Sequence, residues 1–433
     1  MTVLLSQIGC IPDPKGTSNS ATANVAVRDP AAPPATNAVC YIAAVADHVV
    51  VNTPAEMAAA INAAVPGRQI LLAPGTLAGG SLRFGAQGTE AAPIVVRPRD
   101  GMGSVTLDRA RWTMEPTSSN IVLRGFDFND ARIVLKGAQI RVDQCRFRRI
   151  GTDCIVVREC QDSRISRCDA ADYVSNTHDK SFVRLDMPQI RNGTLRRILI
   201  DYCYIHDITP WHGENGQELI RSWGDPSIIA LGPAGLVVVV DHCLFKNISV
   251  PGEGEVISFK SGGWTVRFST FEDVRMYLQF RQADNGEVRS CWFENMAGSA
   301  AFNGWGRNHL IIGNRFVGKL NMRAAPAGNA MAEEQIAGAP GRYSRADGNR
   351  IIGNVMDAGA IEVGTYWPNS DPRNRPAINN NLWNNTGAVV LDPTWQTGTT
   401  FNEDNEPYVP ATKLTPADVG LNAPDPLCGA GSG

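Results

Sequence analysis

A short pattern recurs along this chain and narrows what it can fold into: an apolar stretch, a small or polar residue, any residue, then an aromatic or aliphatic one. It stands at Cys145-Arg-Phe147, Cys168, Cys203-Tyr-Ile205, Cys243-Leu-Phe245, Ser269-Thr-Phe271, Cys291-Trp-Phe293, Asn314-Arg-Phe316, Asn354-Val-Met356 and Asn381-Leu-Trp383. The step is 23 residues from Cys145 to Cys168, 22 from Ser269 to Cys291 and 23 from Cys291 to Asn314. It lengthens to 35 from Cys168 to Cys203 and to 40 from Asn314 to Asn354. A near-constant step with occasional long gaps marks a solenoid whose coils carry loop insertions. Short apolar strands punctuated by Gly, Asn and Asp, such as Ile94-Val-Val, Ile121-Val-Leu, Ile155-Val-Val and Ile198-Leu-Ile, fit the same fold. The reading is an all-β chain, a single-stranded right-handed parallel β-helix.

Coils stacked about 4.8 Å apart bring identical side chains into inward ladders, in which asparagines hydrogen-bond along the axis. The cysteines at this position alternate with Ser and Asn that cannot pair with them, so they read as buried thiols rather than disulfides. A solenoid also explains how 433 residues avoid a second composition regime, because each coil buries its apolar face against its neighbours alone.

Residues 47–410 read as the solenoid, 1–46 as a leader or arm rich in Pro, Ala, Asn, Thr and Ser, and 411–433 as a tail. His48–Asn52 reads as a strand and Thr53-Pro-Ala-Glu56 as a capping box opening a short helix through Ala64. Pro66-Gly67 stops the helix and Gln69–Ala73 resumes as a strand, so the helix is expected to cap the first coil.

The formal charge of −3 gives no global basic field, which argues against nucleic acid as a partner. No apolar run is long enough to span a bilayer. The start, Met1 to Cys10, lacks the basic stretch of a lipoprotein signal and reads as an ordinary tail.

Chemistry concentrates between residues 213 and 309, where successive coils offer Asn215-Gly-Gln-Glu218-Leu-Ile-Arg221, Gly252-Glu253-Gly-Glu255-Val-Ile-Ser-Phe-Lys260-Ser261 and Leu278-Gln-Phe-Arg281. In a strand Glu253 and Glu255 share a face, a pairing suited to a hard divalent cation, to which Asn215 can add an amide oxygen. Arg281 follows Lys260 by 21 residues, close to one coil, so the two should be neighbours. A lysine near other positive charge is favoured as the neutral amine, which can act as a base.

Together with Gly306-x-Asn308-His309 and the entry segment Ala92-Pro-Ile-Val-Val-Arg97, these motifs resemble polysaccharide lyase family six, which includes chondroitinase B and many alginate lyases. The resemblance spans roughly residues 47 to 410. It implies a lyase acting on an acidic, uronate-containing polysaccharide, with Lys260 as base, Arg281 as acid, and Ca²⁺ held by Asn215, Glu253 and Glu255. It places Glu218 and Arg221 toward the substrate, and Asn303, Arg307, His309, Gln282 and His178 are further candidate substrate contacts. The expected setting is extracellular or periplasmic, or a phage virion, and the expected state a monomer or weak homo-oligomer. Two departures stand out: the family follows the catalytic arginine with histidine, where this chain has Gln282, and carries an arginine near Asn303. Arg307 or Arg323 is the candidate replacement for that charge.

Two competing functions use the same scaffold. One is a carbohydrate-binding β-helix without turnover, such as a surface or phage tail adhesin. The other is a glycoside hydrolase working with Glu253 and Glu255. A nearby lysine and arginine are expected to keep both glutamates ionised and so deny the hydrolase its general acid.

Overall fold

The computed structural model describes residues 47–173, 180–186, 196–209, 218–222, 238–249, 254–281, 283–296, 301–325, 328–329, 346–364, 374–375, 377–391, 396–404 and 406–423. Asn215, Glu253, Gln282, His178 and the 1–46 arm lie outside them. Within them, strands join one continuous sheet of 33 members in which every pairing is parallel, coil upon coil. This is the parallel β-helix.

The helix Pro54–Asn62 sits at the first coil and buries Met57 and Ile61 in the core, covering it as expected. Its capping box forms: Thr53 Oγ1 accepts from the Glu56 amide at 3.2 Å, and Glu56 Oε2 accepts from the Asn52 amide at 2.9 Å. The helix ends at Asn62 rather than Ala64, because Asn62 Oδ1 turns to accept from the Gly85 amide at 2.9 Å and the Ala64 amide falls back on Ile61.

The inward ladder is present, and its thiols are free and buried at Cys145, Cys168, Cys203, Cys243 and Cys291. It continues through hydrogen bonds. The Cys243 amide donates to Ser269 Oγ at 3.1 Å, the Cys291 amide to Asn314 Oδ1 at 2.8 Å, and Asn314 Nδ2 to Asn354 Oδ1 at 2.9 Å. Two residues further on, Phe245, Phe271, Phe293 and Phe316 stack with centroids 4.8, 4.9 and 4.6 Å apart. One ladder assignment fails: the last rung is Asn385, whose Oδ1 accepts from Asn354 Nδ2 at 2.9 Å, and not Asn381.

A backbone rule separates the two. The residue before each rung takes a left-handed φ, as at Gln144 (50°), Arg167 (51°), His242 (48°), Ser290 (53°) and Asn384 (52°), bending the chain sharply between walls. At Gly313 and Gly353 the same bend must be glycine for a second reason. A Cβ there would meet the Tyr408 ring at 2.5 and 2.3 Å.

Tyr408 belongs to a segment that runs back along the outside of the solenoid, and residues 411–423 continue it in contact with the coils. The Ala411 amide donates to Gly313 O at 3.2 Å, and Lys413 Nζ reaches Glu272 and Glu294 at 2.8 and 2.7 Å. The Gly420 amide donates to Tyr202 O at 2.7 Å, and Gln144 Nε2 donates to Leu421 O at 2.6 Å. Backbone groups left open at the bends are thereby paired across many coils. No helix among the described residues is long and apolar enough to cross a membrane.

Asn354 is fully enclosed and bonds the rungs on both sides. Asn354→Ala strands several buried donors and acceptors, so it should lower unfolding free energy by about 3 kcal/mol in urea denaturation. A loss under about 1 kcal/mol would show that the ladder is passive filling.

Candidate active site

Register on one wall of the solenoid assembles the site. The strands Val183–Leu185, Glu218–Ser222, Glu255–Phe259, Tyr277–Phe280, Phe302–Gly304, Met322–Ala325 and Val355–Val363 lie side by side. One row therefore runs Arg184, Arg221, Ser258, Gln279, Asn303, Arg323, Glu362. Glu218 stands beside Glu255. The Arg281 amide donates to Phe259 O at 2.9 Å, extending the register so that Arg281 neighbours Lys260.

Strand alternation alone would forbid this cluster. Glu255 and Lys260 are an odd number of residues apart, which in a regular strand puts them on opposite faces. Here Val256 and Ile257 both join the core, as do Leu219 and Ile220 on the preceding coil. The ladder is irregular at this point, with a shift between Glu255 and Ile257. The paired apolar residues reset the alternation, so Glu255, Ser258 and Lys260 face one way, as do Glu218 and Arg221.

A chain of buried charges results. Lys260 Nζ donates to Glu218 Oε1, and Glu218 Oε2 lies 3.3 Å from Arg221 Nη1. Arg221 Nη2 is 3.6 Å from Asp153 Oδ1, which also accepts from the Ser181 amide at 3.1 Å, while Asp153 Oδ2 takes Arg184 Nη1 at 2.6 Å. On the next coil Arg281 Nη1 lies 3.3 Å from Glu255 Oε1. The Arg221 side chain is only 2% exposed and Arg281 29%, so Arg281 presents itself to solvent while Arg221 is enclosed.

The two glutamates titrate apart. Burial pushes Glu255 up to about 7, and the Glu218 charge beside it adds to the push against the pull of Arg281 and Lys260. Burial also presses Glu218 upward, but the charge and hydrogen bond of Lys260, the Arg221 charge and a hydrogen bond from Glu255 outweigh it and hold Glu218 below its ordinary value. The expectation that nearby cations keep the glutamates ionised therefore fails at Glu255, where desolvation wins.

Glu255 Oε2 is buried without a hydrogen-bond partner among the described residues. Such an oxygen, next to a second carboxylate, suits a hard cation. No grouping of three or more His, Cys, Asp or Glu side chains around a common point occurs among the described residues, and Asn215 and Glu253 lie outside them.

Other expected contacts fall into different places. His309 is enclosed: its Nδ1 accepts from the Gly286 amide at 2.9 Å, its Nε2 is 2.8 Å from Trp305 O, and burial lowers it to about 4. It clamps two turns together. Asn303 is in the row and buried, and its Oδ1 has no hydrogen-bond partner among the described residues. Arg323 cannot supply Asn303's missing charge unopposed, because its Nε is 3.1 Å from Glu362 Oε2. Arg307 lies on the turn beyond Phe302–Gly304, its amide donating to Asp284 Oδ1 at 2.9 Å. Sequence reasoning missed Asp153, Arg184, Ser258 and Gln279. Arg184 precedes Arg221 by 37 residues, one coil with an insertion, and this was the signal available.

No family model matches the chain, and no curated protein matches it. Solved structures do. The PL6 family alginate lyase AlyGC superposes with a TM-score of 0.64 at 19% identity, over 81% of this chain and 50% of that one. The chain thus spans about half the length of AlyGC. The PL6 family polysaccharide lyase Pedsa3628 from Pseudopedobacter saltans gives 0.62 at 19% identity, over 87% of this chain and 100% of that one. A mannuronic acid specific family 6 lyase from human gut microbiota gives 0.63 at 18% identity, over 80% and 83%. The chain has the fold of the PL6 polysaccharide lyases.

The raised Glu255 carboxyl makes a pH prediction for protein kept free of divalent cations. Between its ordinary 4.5 and about 7 the folded state holds a proton that the unfolded state has released, so stability falls as pH rises through that window. Glu218 has the opposite sign and acts below 4.5, where its stabilisation is lost as pH falls. Urea titrations in chelator across this range should show the decline for the wild type and a flatter profile for Glu255→Gln. Equal slopes would place the proton elsewhere.

Proposed function

We propose that this protein is a polysaccharide lyase that cleaves an acidic, uronate-containing polysaccharide, alginate first among candidates, by calcium-assisted β-elimination. The observation that carries the reading is Lys260 beside Arg281 on adjacent coils, with Glu218 and Glu255 on the same outer face. The PL6 fold supports it.

Glu255, with Asn215 and Glu253, would hold the cation. Bound there, calcium would neutralise the uronate carboxylate and make the C5 proton more acidic. Glu218 fixes the Lys260 nitrogen by accepting one of its N–H bonds, and once Lys260 has released its extra proton to solvent the neutral amine has a lone pair for the C5 proton. As that proton moves to Nζ, the C5 electron pair forms the C4–C5 double bond and the C4–O4 bond breaks. Arg281 faces solvent enough to meet O4 and stabilise its developing charge, a role that suits guanidinium better than proton donation. The leaving O4 takes up a proton from solvent while Lys260 gives the C5 proton back to solvent, so no water is consumed, and the new non-reducing end is an unsaturated sugar. Such an enzyme belongs where polymer is met, outside the cell or in the periplasm.

The Glu255 value of about 7 favours one rival, a hydrolase with Glu255 as general acid and Glu218 as its partner. That rival gives Lys260 no proton to move.

Wild-type protein with calcium should raise the ultraviolet absorbance of unsaturated uronates on alginate or another polyuronate. Lys260→Ala should cut the rate about a thousandfold and Arg281→Ala about a hundredfold. Chelator should suppress turnover and calcium restore it. No unsaturated product on any uronate polymer would end the lyase reading, and full activity in Lys260→Ala would end the assigned mechanism.

A further inference from the structure

We propose that Arg184 is a second carboxylate-binding position in the groove, taking the acid group of a uronate about two coils away from the one that reacts. The inference rests on the lyase reading for its substrate class. The starting point is Arg221, which the sequence had directed to a substrate carboxylate. Its side chain is 2% exposed and already lies between Glu218 and Asp153, so it has neither the access nor the geometry to receive a ligand.

Arg184 occupies the same row one coil earlier, in register with Arg221, and its side chain is 24% exposed. One guanidinium nitrogen is anchored on Asp153 Oδ2 at 2.6 Å. Asp153 is itself enclosed and fixed by the Ser181 amide. A planar guanidinium held at one edge by a buried carboxylate is preorganised, and its other edge can meet a planar acid group through parallel hydrogen bonds.

Exposure points the same way. Among the described residues of this cluster, Arg184 and Arg281 reach the surface at its two ends, with side chains 24% and 29% exposed, while Asp153, Glu218 and Glu255 are enclosed. Coils rise about 4.8 Å each, which puts Arg184 roughly 10 Å along the axis from the strand that carries Lys260. A polyuronate laid along the wall offers an acid group at that range, whereas a chain carrying a single acid group does not. Arg221 and Asp153 are positioning residues in this scheme: they tie the distal carboxylate site to Glu218 and Lys260.

The test is steady-state kinetics on oligouronates of defined length, with Arg184→Ala and Arg184→Lys, both checked for wild-type melting behaviour. Arg184→Ala should raise KM on long oligouronates roughly tenfold with kcat within about twofold. Arg184→Lys should recover only part of the loss, since it lacks the fork. On oligomers whose distal units have been carboxyl-reduced, wild type and Arg184→Ala should have the same KM. Unchanged KM on long oligouronates overturns the proposal, as does a fall in kcat with KM intact, which would make Arg184 a support for Lys260 alone. An inactive wild type would instead sink the lyase reading. Calorimetric binding of the same oligouronates to wild type and Arg184→Ala then decides Arg184 separately, equal affinities counting against it.

Discussion

Lateral hydrogen bonding between parallel strands held in register is the constraint on which this structure depends. It fixes the rise from coil to coil, and that rise decides which side chains can be neighbours. Inward, it stacks Phe245, Phe271, Phe293 and Phe316 at 4.6 to 4.9 Å and lets Asn314, Asn354 and Asn385 bond in series. Outward, it lines up Arg184, Arg221, Ser258, Gln279, Asn303 and Arg323 although they span well over a hundred residues of chain. The core and the groove are two faces of the same repeat.

A regular repeat cannot by itself build the charged cluster. Burying charge is expensive unless each charge finds a partner, and here the partners come from different coils: Asp153, Arg184, Arg221, Glu218 and Lys260 form one chain and Glu255 with Arg281 another. What admits them to one face is the local break in alternation at Leu219-Ile220 and Val256-Ile257. A departure from the ideal strand thus sits where the chemistry is, and the regular coils on both sides carry its cost.

Much of this was legible in the sequence, and the failures have physical causes. Ladder spacing of 22 or 23 residues reveals the solenoid because the inward position tolerates few side chains. The last rung was misplaced because Asn379, Asn380, Asn381, Asn384 and Asn385 all lie within one short stretch, and only the hydrogen bond from Asn354 singles out Asn385. The neighbourhood of Lys260 and Arg281 was readable from one-coil spacing. Burial was not: nothing in the sequence separates an enclosed Arg221 from a half-open Arg184, or shows both ring nitrogens of His309 engaged by backbone. The titration of Glu255 was misjudged for the same reason, since counting nearby cations omits desolvation.

The central claim is that this wall of the solenoid moves a proton from carbon to Lys260 and expels a sugar oxygen without water taking part. Mass spectrometry of the fragments from a defined oligouronate tests it most directly. Elimination predicts fragment masses that sum to the parent, one fragment carrying an unsaturated end. Fragments that together exceed the parent by one water would show hydrolysis and contradict it.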